Sequence, residues 1–323
     1  MPSPRPASRQ RPDPWGRAAA LCALGLLALP VLARSAAAQT PGYGPMVLDL
    51  PANTRALGMG TAYFLAGSES DLLFANPALL TDATGFQISG STWGLNSFAG
   101  RASGAGEWLG GGLGFGLRVL EYGATSDRSG VVAGDEGQLL EEGRFGAGQL
   151  AATVGYGREV GPVKVGASGH LIRDRLASAG STTAAFDVGV ATRISDVTVG
   201  LSAQNLGPRM DLAGESIPLP QRFTLGASSP RAWVGPLDIA GSAAVTYRVD
   251  GSWIPVAGLE VAWWPVVGRT IVGRAGYRHV PDESAARKWT AGGALEGDRI
   301  SFEYAYQGYD GFEAAHHLGI RLR

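Results

Sequence analysis

Four histidines, His170, His279, His316 and His317, are the residues of this chain best suited to proton transfer or metal binding. Ser168 and His170 are two apart and would share one face of an extended segment, as a nucleophile and its base must. No sequence argument places beside them the orienting acid or the oxyanion donors that acyl transfer requires. His316 and His317 are adjacent, and adjacent residues of a strand point to opposite faces, so the pair cannot chelate one metal ion. Asp127, Asp135, Glu136, Glu141 and Glu142 crowd one stretch but lack the alternating oxygen-ligand spacing of a calcium loop. Gly110, Gly111 and Gly112 precede neither a Lys-Ser/Thr pair nor a strand-to-helix turn, so they do not form a phosphate cradle. No catalytic residue, metal or cofactor is expected.

The elements available to position side chains are strands. Of 323 residues, 49 are glycine, roughly twice the usual share, and 17% are charged, below the roughly 25% of ordinary soluble domains. Interior glycine costs a helix about 1 kcal/mol relative to alanine, which argues against a bundle. Residues 1 to 17 carry four arginines, and residues 18 to 33 are an uncharged apolar run followed by Ala36, Ala37 and Ala38. This is the pattern of a secretory signal peptide, expected to span 1–38 with cleavage near Ala38. Cleavage removes Cys22, the only cysteine, and leaves 22 basic against 27 acidic residues. Without a basic stripe interleaved with aromatics, nucleic acid is not an expected partner.

Beyond residue 85 the chain breaks into runs with alternate apolar positions, the period-2 signal of a half-exposed strand. Leu113, Phe115, Leu117 and Val119 alternate with Gly112, Gly114, Gly116 and Arg118, and Ile300, Phe302, Tyr304 and Tyr306 alternate with Arg299, Ser301, Glu303 and Gln307. A soluble sandwich would carry charge on its outer positions, yet the chain has only two lysines, Lys164 and Lys288. The opposite assignment fits: apolar side to lipid, small and polar side to a lumen. About fourteen runs, from 86–94 to 314–322, predict an all-β fold, a closed antiparallel transmembrane β-barrel of about 14 strands over 86–323. Closure follows because an open sheet edge in hydrocarbon would leave backbone groups unpaired at several kcal/mol each.

Residues 39–85 differ in kind, mixing small residues with a short helix expected at 69–75 and ended by Pro77. A barrel of this size is wider than wall side chains can fill, so this segment is expected in the lumen as a plug. Lumenal Arg118, Lys164, Arg222, Arg248, Arg274 and Glu303 are expected to hold it, with Arg55 and Glu69 as partners. Leu57, Met59, Tyr63, Phe64, Leu72, Leu73 and Phe74 either line a greasy ligand pocket or pack the plug against the wall.

The blocks Asn53-Thr-Arg-Ala-Leu-Gly-Met-Gly60, Asn76-Pro-Ala78, Ala185-Phe-Asp-Val-Gly189, Gln204-Asn-Leu-Gly-Pro208 and Phe302-Glu-Tyr-Ala-Tyr306 resemble the family of the type IX secretion shuttle (PorV/PorQ type). That family is related in fold to FadL-type long-chain fatty-acid transporters. The resemblance covers nearly the whole mature chain and implies a fourteen-stranded barrel with an N-terminal plug. Its signature falls on Arg55, Gly58, Met59, Gly60, Asn76, Pro77 and Ala78. It also implies location in the bacterial outer membrane, lipid as a partner, and one of two roles. The first is passive uptake or binding of hydrophobic small molecules, with Leu57, Tyr63, Phe64, Leu72 and Phe74 lining the ligand. The second is an accessory role in a protein-secretion or cell-surface complex. Ser68, Leu79 and the C-terminal Leu322-Arg323 depart from the family pattern.

Overall fold

The computed structural model describes residues 44–323 except 63–64, 66, 94–96, 123–146, 177–178, 213, 280–284 and 312, with Trp93 described in backbone only. The expected signal peptide, residues 39–43 of the expected plug and the acidic stretch around Asp135 lie outside the described residues.

Strands β1 (Gly85–Trp93), β2 (Ser97–Trp108), β3 (Gly111–Tyr122), β4 (Ala147–Val160), β5 (Val163–Leu176), β6 (Ala179–Ile194) and β7 (Val197–Leu206) pair in sequence order. A small hairpin, β8 (Met210–Leu212) and β9 (Glu215–Ile217), stands apart. Then follow β10 (Arg222–Ser228), β11 (Ala232–Val234), β12 (Leu237–Arg248), β13 (Trp253–Val266), β14 (Arg269–Arg278), β15 (Ala286–Gly297), β16 (Ile300–Tyr309) and β17 (Ala315–Leu322). β1 pairs with β17 and β10 with both β7 and β12, so the ring is complete and every pairing is antiparallel. β11 continues β10 along β12 after a break, so the fifteen strands of this sheet make a barrel of fourteen staves.

Burial alternates along most staves, most regularly on β4, β5, β6, β16 and β17. On β5, Ser168, His170, Ile172 and Asp174 are buried while Ala167, Gly169, Leu171 and Arg173 are exposed, and β17 alternates residue by residue. The exposed set is the greasy one: Phe115, Leu117, Leu150, Val154, Leu171, Phe186, Leu201, Leu225, Leu259, Phe302 and Ile320 all face outward. The buried set is small or polar: Ser89, Ser103, Thr153, Ser202, Thr224, Ser242, Thr290 and Ser301. This inverts a soluble protein, and lipid is the solvent that makes the exposed side favourable, at about 25 cal/mol for each Å² removed from water.

Aromatic residues mark the two edges of the band. Tyr247 packs on Trp253 at 4.9 Å and Tyr277 on Trp289 at 4.9 Å near one end, and Trp108 meets Tyr156 edge-on at 6.2 Å near the other. Trp253 and Trp263 are ten residues apart on β13, about 33 Å of strand and about 25 Å of height at a tilt near 40°. That height matches the apolar band of transmembrane barrels. Trp263 pairs in register with Ile271, and the register shifts before Val266, so the adjacent tryptophans sit at a bulge on the rim. Among the described residues no helix is long and apolar enough to cross a membrane.

At the end where β1 starts and β17 finishes, two-residue connections join β2 to β3, β4 to β5, β6 to β7, β11 to β12, β13 to β14 and β15 to β16. The connections at the other end are longer, apart from the two residues 177–178 between β5 and β6. In transmembrane barrels the short turns face the periplasm and the longer loops the exterior.

Candidate functional site

Residues 44–84 run along the inward faces of the staves. Gly44 N–H donates to Pro218 O at 2.9 Å at the long-loop end. Met46–Leu48 form a single 3₁₀ turn, helix α1 covers Thr54–Gly58, and 3₁₀ turns cover Ser70–Phe74 and Pro77–Thr81. The helix expected at 69–75 is thus a 3₁₀ turn, and Pro77 opens a second turn where an end was expected. Pro is tolerated there because the first N–H of a turn is unpaired anyway. Asn53 caps α1 by accepting from Ala56 N–H, and Asn76 caps the last turn by accepting from Ala78 N–H at 3.0 Å. α1 faces β14 to β17, while Pro77–Thr81 faces β2 to β6 across the ring.

Glycine makes this placement sterically feasible. A Cβ on Gly114 would stand 2.6 Å from Leu80 Cδ2, one on Gly155 2.6 Å from Leu73 Cδ1, and one on Gly157 2.6 Å from Pro77 O. Gly116 faces the Phe74 ring, Gly166 faces Pro77, and a Cβ on Gly258 would meet Met59 Cβ at 2.5 Å. Gly60 adopts φ +77° and lies on the Tyr277 backbone, where no L side chain fits.

The two sides of the lumen differ in chemistry. Toward β13–β17 lies a charge knot. Arg55 places Nη1 2.6 Å from Glu69 Oε1 and grips Glu260 with Nη2 at 2.7 Å and Nε at 2.9 Å. Glu260 also receives Arg274 Nε at 2.8 Å and Arg231 Nε at 2.8 Å. Arg231 forks onto Glu296 at 2.8 and 2.9 Å, Arg321 Nη1 reaches Glu69 at 2.6 Å, and Arg274 Nη2 lies 3.5 Å from Glu303. Four guanidiniums thus face four carboxylates, and bidentate geometry makes such pairs strong and directional. Burial alone would lower Arg55, but Glu69 and Glu260 hold it above its ordinary value. Burial would raise Glu69, yet Arg55 and Arg321 bring it down to about 2. Burial, reinforced by Glu69 and Glu303, pushes Asp71 up to about 8, and Asn53 Nδ2 donates to it at 3.2 Å.

Toward β2–β7 the side chains of the segment form apolar clusters, against a wall that also buries Arg101, Arg118, Thr153, His170, Asp174 and Asp187. Val47, Leu48, Leu120, Ile172 and Leu219 form one cluster near the long-loop end, and Leu73, Phe74, Leu80 and Ala83 form another. Arg118 stands between them, donating Nη1 to Leu48 O at 3.3 Å with its guanidinium 4.8 Å over the Phe74 ring. Asp49 pairs with Arg248 at 2.7 Å, and Asp82 pairs with Lys164 at the turn end.

The wall carries a bulge on this circumference. β10 pairs with β7 only as far as Ser228 opposite Thr198, and residues 229–231 set three positions against Ala240 and Gly241. The extra residue reverses the alternation and turns Arg231 inward, while the Ser229 hydroxyl restores pairing with Gly241 N–H at 2.9 Å. Beside this bulge a cavity of about 410 Å³ opens among Leu65, Asp82, Lys164, Thr192, Arg193, Thr198 and Pro230.

The structure separates the sequence-derived signature. Arg55, Gly58, Met59 and Gly60 lie against β13–β16, Gly60 N–H donating to Thr290 Oγ1 at 2.8 Å. Asn76, Pro77 and Ala78 lie opposite, Asn76 Nδ2 donating to Val190 O at 3.2 Å. Leu57, Leu72 and Phe74 are buried, whereas Tyr63 and Phe64 lie outside the described residues. Arg118, Lys164, Arg222, Arg248 and Arg274 all contact the segment or a residue that does. Sequence reasoning overlooked Glu296 and Arg321, although both fall on the small-residue side of their runs. It also overlooked Arg231, which no alternation marks because it sits in the bulge.

An acid does stand beside His170, a partner that no sequence argument places there. His170 Nδ1 lies 2.8 Å from Thr153 Oγ1, and Nε2 lies 2.9 Å from Asp187 Oδ2, on a neighbouring stave. Asp187 also accepts from Asn205 N–H at 2.7 Å, where Asn205 adopts φ +60° at the end of β7. All three groups are buried and, among the described residues, no oxyanion donors converge on Thr153, so the triad clamps β4, β5 and β6 together and Asn205 ties β7 to them. Among the described residues no group of three His, Cys, Asp or Glu could hold a metal.

The architecture is found in solved structures. The toluene transporter TodX of Pseudomonas putida superposes with a TM-score of 0.55 at 13% identity, covering 83% of this chain and 96% of that one. The FadL-type barrel is the fold of this chain. The toluene transporter TbuX of Ralstonia pickettii gives 0.53 at 13% identity over 84% and 98%, and a FadL homologue of Pseudomonas aeruginosa gives 0.51 at 10% over 84% and 98%. No protein-family model and no curated protein matches the sequence.

Proposed function

We propose that the chain is a FadL-type outer-membrane barrel that lets apolar small molecules cross passively, with residues 44–84 as its plug. The observation that carries this reading is the pair of apolar clusters along β2–β7, one around Val47, Leu48 and Ile172 and one around Leu73, Phe74 and Leu80, opposite a charge knot along β13–β17. An apolar solute entering at Val47 and Leu48 meets side chains of its own polarity. The four-by-four charge knot anchors the plug on the opposite wall and is balanced within itself. The shared fold with the toluene transporters supports the same solute class. The test is uptake into liposomes carrying the purified chain. Toluene or a medium-chain fatty acid should enter faster than in protein-free liposomes, and a sugar of similar size should not. Equal entry of sugar and toluene would overturn the reading.

The tight fit of Leu73, Leu80, Pro77 and Met59 on glycine supports a second reading, a closed barrel serving as an accessory of a protein-secretion or surface complex, as the resemblance to the type IX shuttle implies. That reading expects no solute flux and a stoichiometric protein partner after purification in mild detergent.

A further inference from the structure

The outward face of β5 changes character within two residues. Val163, Val165, Ala167, Gly169 and Leu171 are apolar or lack a side chain, and Arg173 and Arg175 follow on the same face toward the long-loop end. Arg173 is ten residues from Val163, the same separation that divides the aromatic girdles on β13. The two guanidiniums therefore stand where acyl chains give way to headgroups. Both are exposed, and neither guanidinium has an ion-pair or hydrogen-bond partner among the described residues.

Their surroundings form a notch. In register, Arg175 lies between Gly148 on β4 and Gly180 on β6, so neither flanking stave presents a side chain beside it. A Cβ at Gly148 would touch only Leu120 O and Glu121 Cγ, and one at Gly180 only Asp174 O, each at 3.6 Å or more. Arg173 is flanked by Leu150 and Thr182. The carboxylate in the Arg175 row is Glu121 on β3, two inter-strand spacings or about 10 Å away. The long-loop end of β12–β15 carries Tyr247, Trp253, Tyr277 and Trp289 instead. A guanidinium at the membrane interface stays there when an anion completes its hydrogen bonding, and phosphate takes its fork bidentately.

We infer that Arg173 and Arg175 form a docking site for a phosphate-bearing lipid headgroup of the leaflet at the long-loop end. The phosphates sit on the guanidiniums in the notch of Gly148 and Gly180, and the acyl chains lie along Leu171, Leu150 and Val154. The inference rests on the outer-membrane reading above, in which that leaflet is the outer one and its phosphorylated lipid is a glycolipid.

The test uses the full chain, folded in detergent and inserted into phosphatidylcholine vesicles doped with bisphosphorylated lipid A, then re-extracted and weighed by native mass spectrometry. One lipid A should remain bound to the unaltered barrel. Retention should fall at least tenfold in Arg173→Gln/Arg175→Gln, persist in Arg269→Gln at the turn end, and vanish with lipid A stripped of phosphate. Equal retention by the double variant, no lipid A on a barrel that has inserted, or equal retention of phosphatidylglycerol would overturn the assignment. Failure to insert into any vesicle would instead defeat the membrane-barrel reading, which separates the two claims.

Discussion

Replacing Glu260 by glutamine probes the charge knot at its centre. The carboxylate is fully buried and bonded to three guanidiniums, Arg55 at 2.7 and 2.9 Å, Arg231 at 2.8 Å and Arg274 at 2.8 Å. Glutamine keeps the shape but leaves four cations, three of them buried and Arg231 half-buried, facing three anions. Removing one partner of a buried pair costs about 3–5 kcal/mol, because the abandoned charge has neither water nor a counterion. The cost falls first on α1, since Arg55 links it to the wall, while the strands retain their backbone ladders. At about 1.4 kcal/mol per tenfold, amide exchange over Arg55 to Met59 should accelerate at least a hundredfold if α1 opens locally. Exchange in β3 to β6 should stay unchanged. The double variant Glu260→Gln/Arg274→Gln restores neutrality and should recover much of the protection. Unchanged exchange in α1 for Glu260→Gln, or no recovery in the double variant, would refute the view that charge balance anchors the segment.

Other perturbations address the remaining parts. Gly157→Val puts a side chain where Pro77 O stands 2.6 Å away, and overpacking of this kind costs about 1–3 kcal/mol. Protease cleavage between residues 72 and 82 should become faster while the barrel stays resistant. Asp71 titrates near about 8 folded against 3.8 in the open chain, so packing of the segment should weaken as pH rises from about 4 to about 8, by at most about 1.4 kcal/mol per unit. Asp71→Asn should flatten that dependence in thermal melts followed by circular dichroism. Glu69 is held at about 2, so its contribution is present above about 4.5 and is lost as pH falls toward 2; exchange over residues 54–69 should rise in that acid window. Thr153→Val breaks the contact to His170 and should lower the melting temperature without opening a new activity.

The staves were legible because period-2 alternation is a local property: Leu113 to Val119 against Gly112 to Arg118 reads the same in sequence and in space. Closure was legible because hydrocarbon forbids a free edge. Glycine's reason was only half legible, since Gly114 and Gly157 announce missing side chains without saying that Leu80 and Pro77 occupy the space. The knot was the least legible. Arg55 and Glu260 are 205 residues apart, and only ring closure brings β13 and β17 to the same helix. His170 and Asp187 meet because β5 and β6 are neighbours in register, with Ser168 opposite Asp187, so a register worked out from the turn between β5 and β6 would have found them. Arg231 was hidden by the bulge, which reverses the alternation that sequence reading depends on.

The central claim is that the greasy face of each stave meets acyl chains and the small, polar face surrounds the N-terminal segment. Spin labels on Leu117→Cys, Leu225→Cys and Phe302→Cys in reconstituted vesicles test it directly by power saturation. The account predicts strong relaxation by dissolved oxygen and almost none by a water-soluble nickel chelate at all three positions. Free access of the nickel chelate to these sites would contradict it.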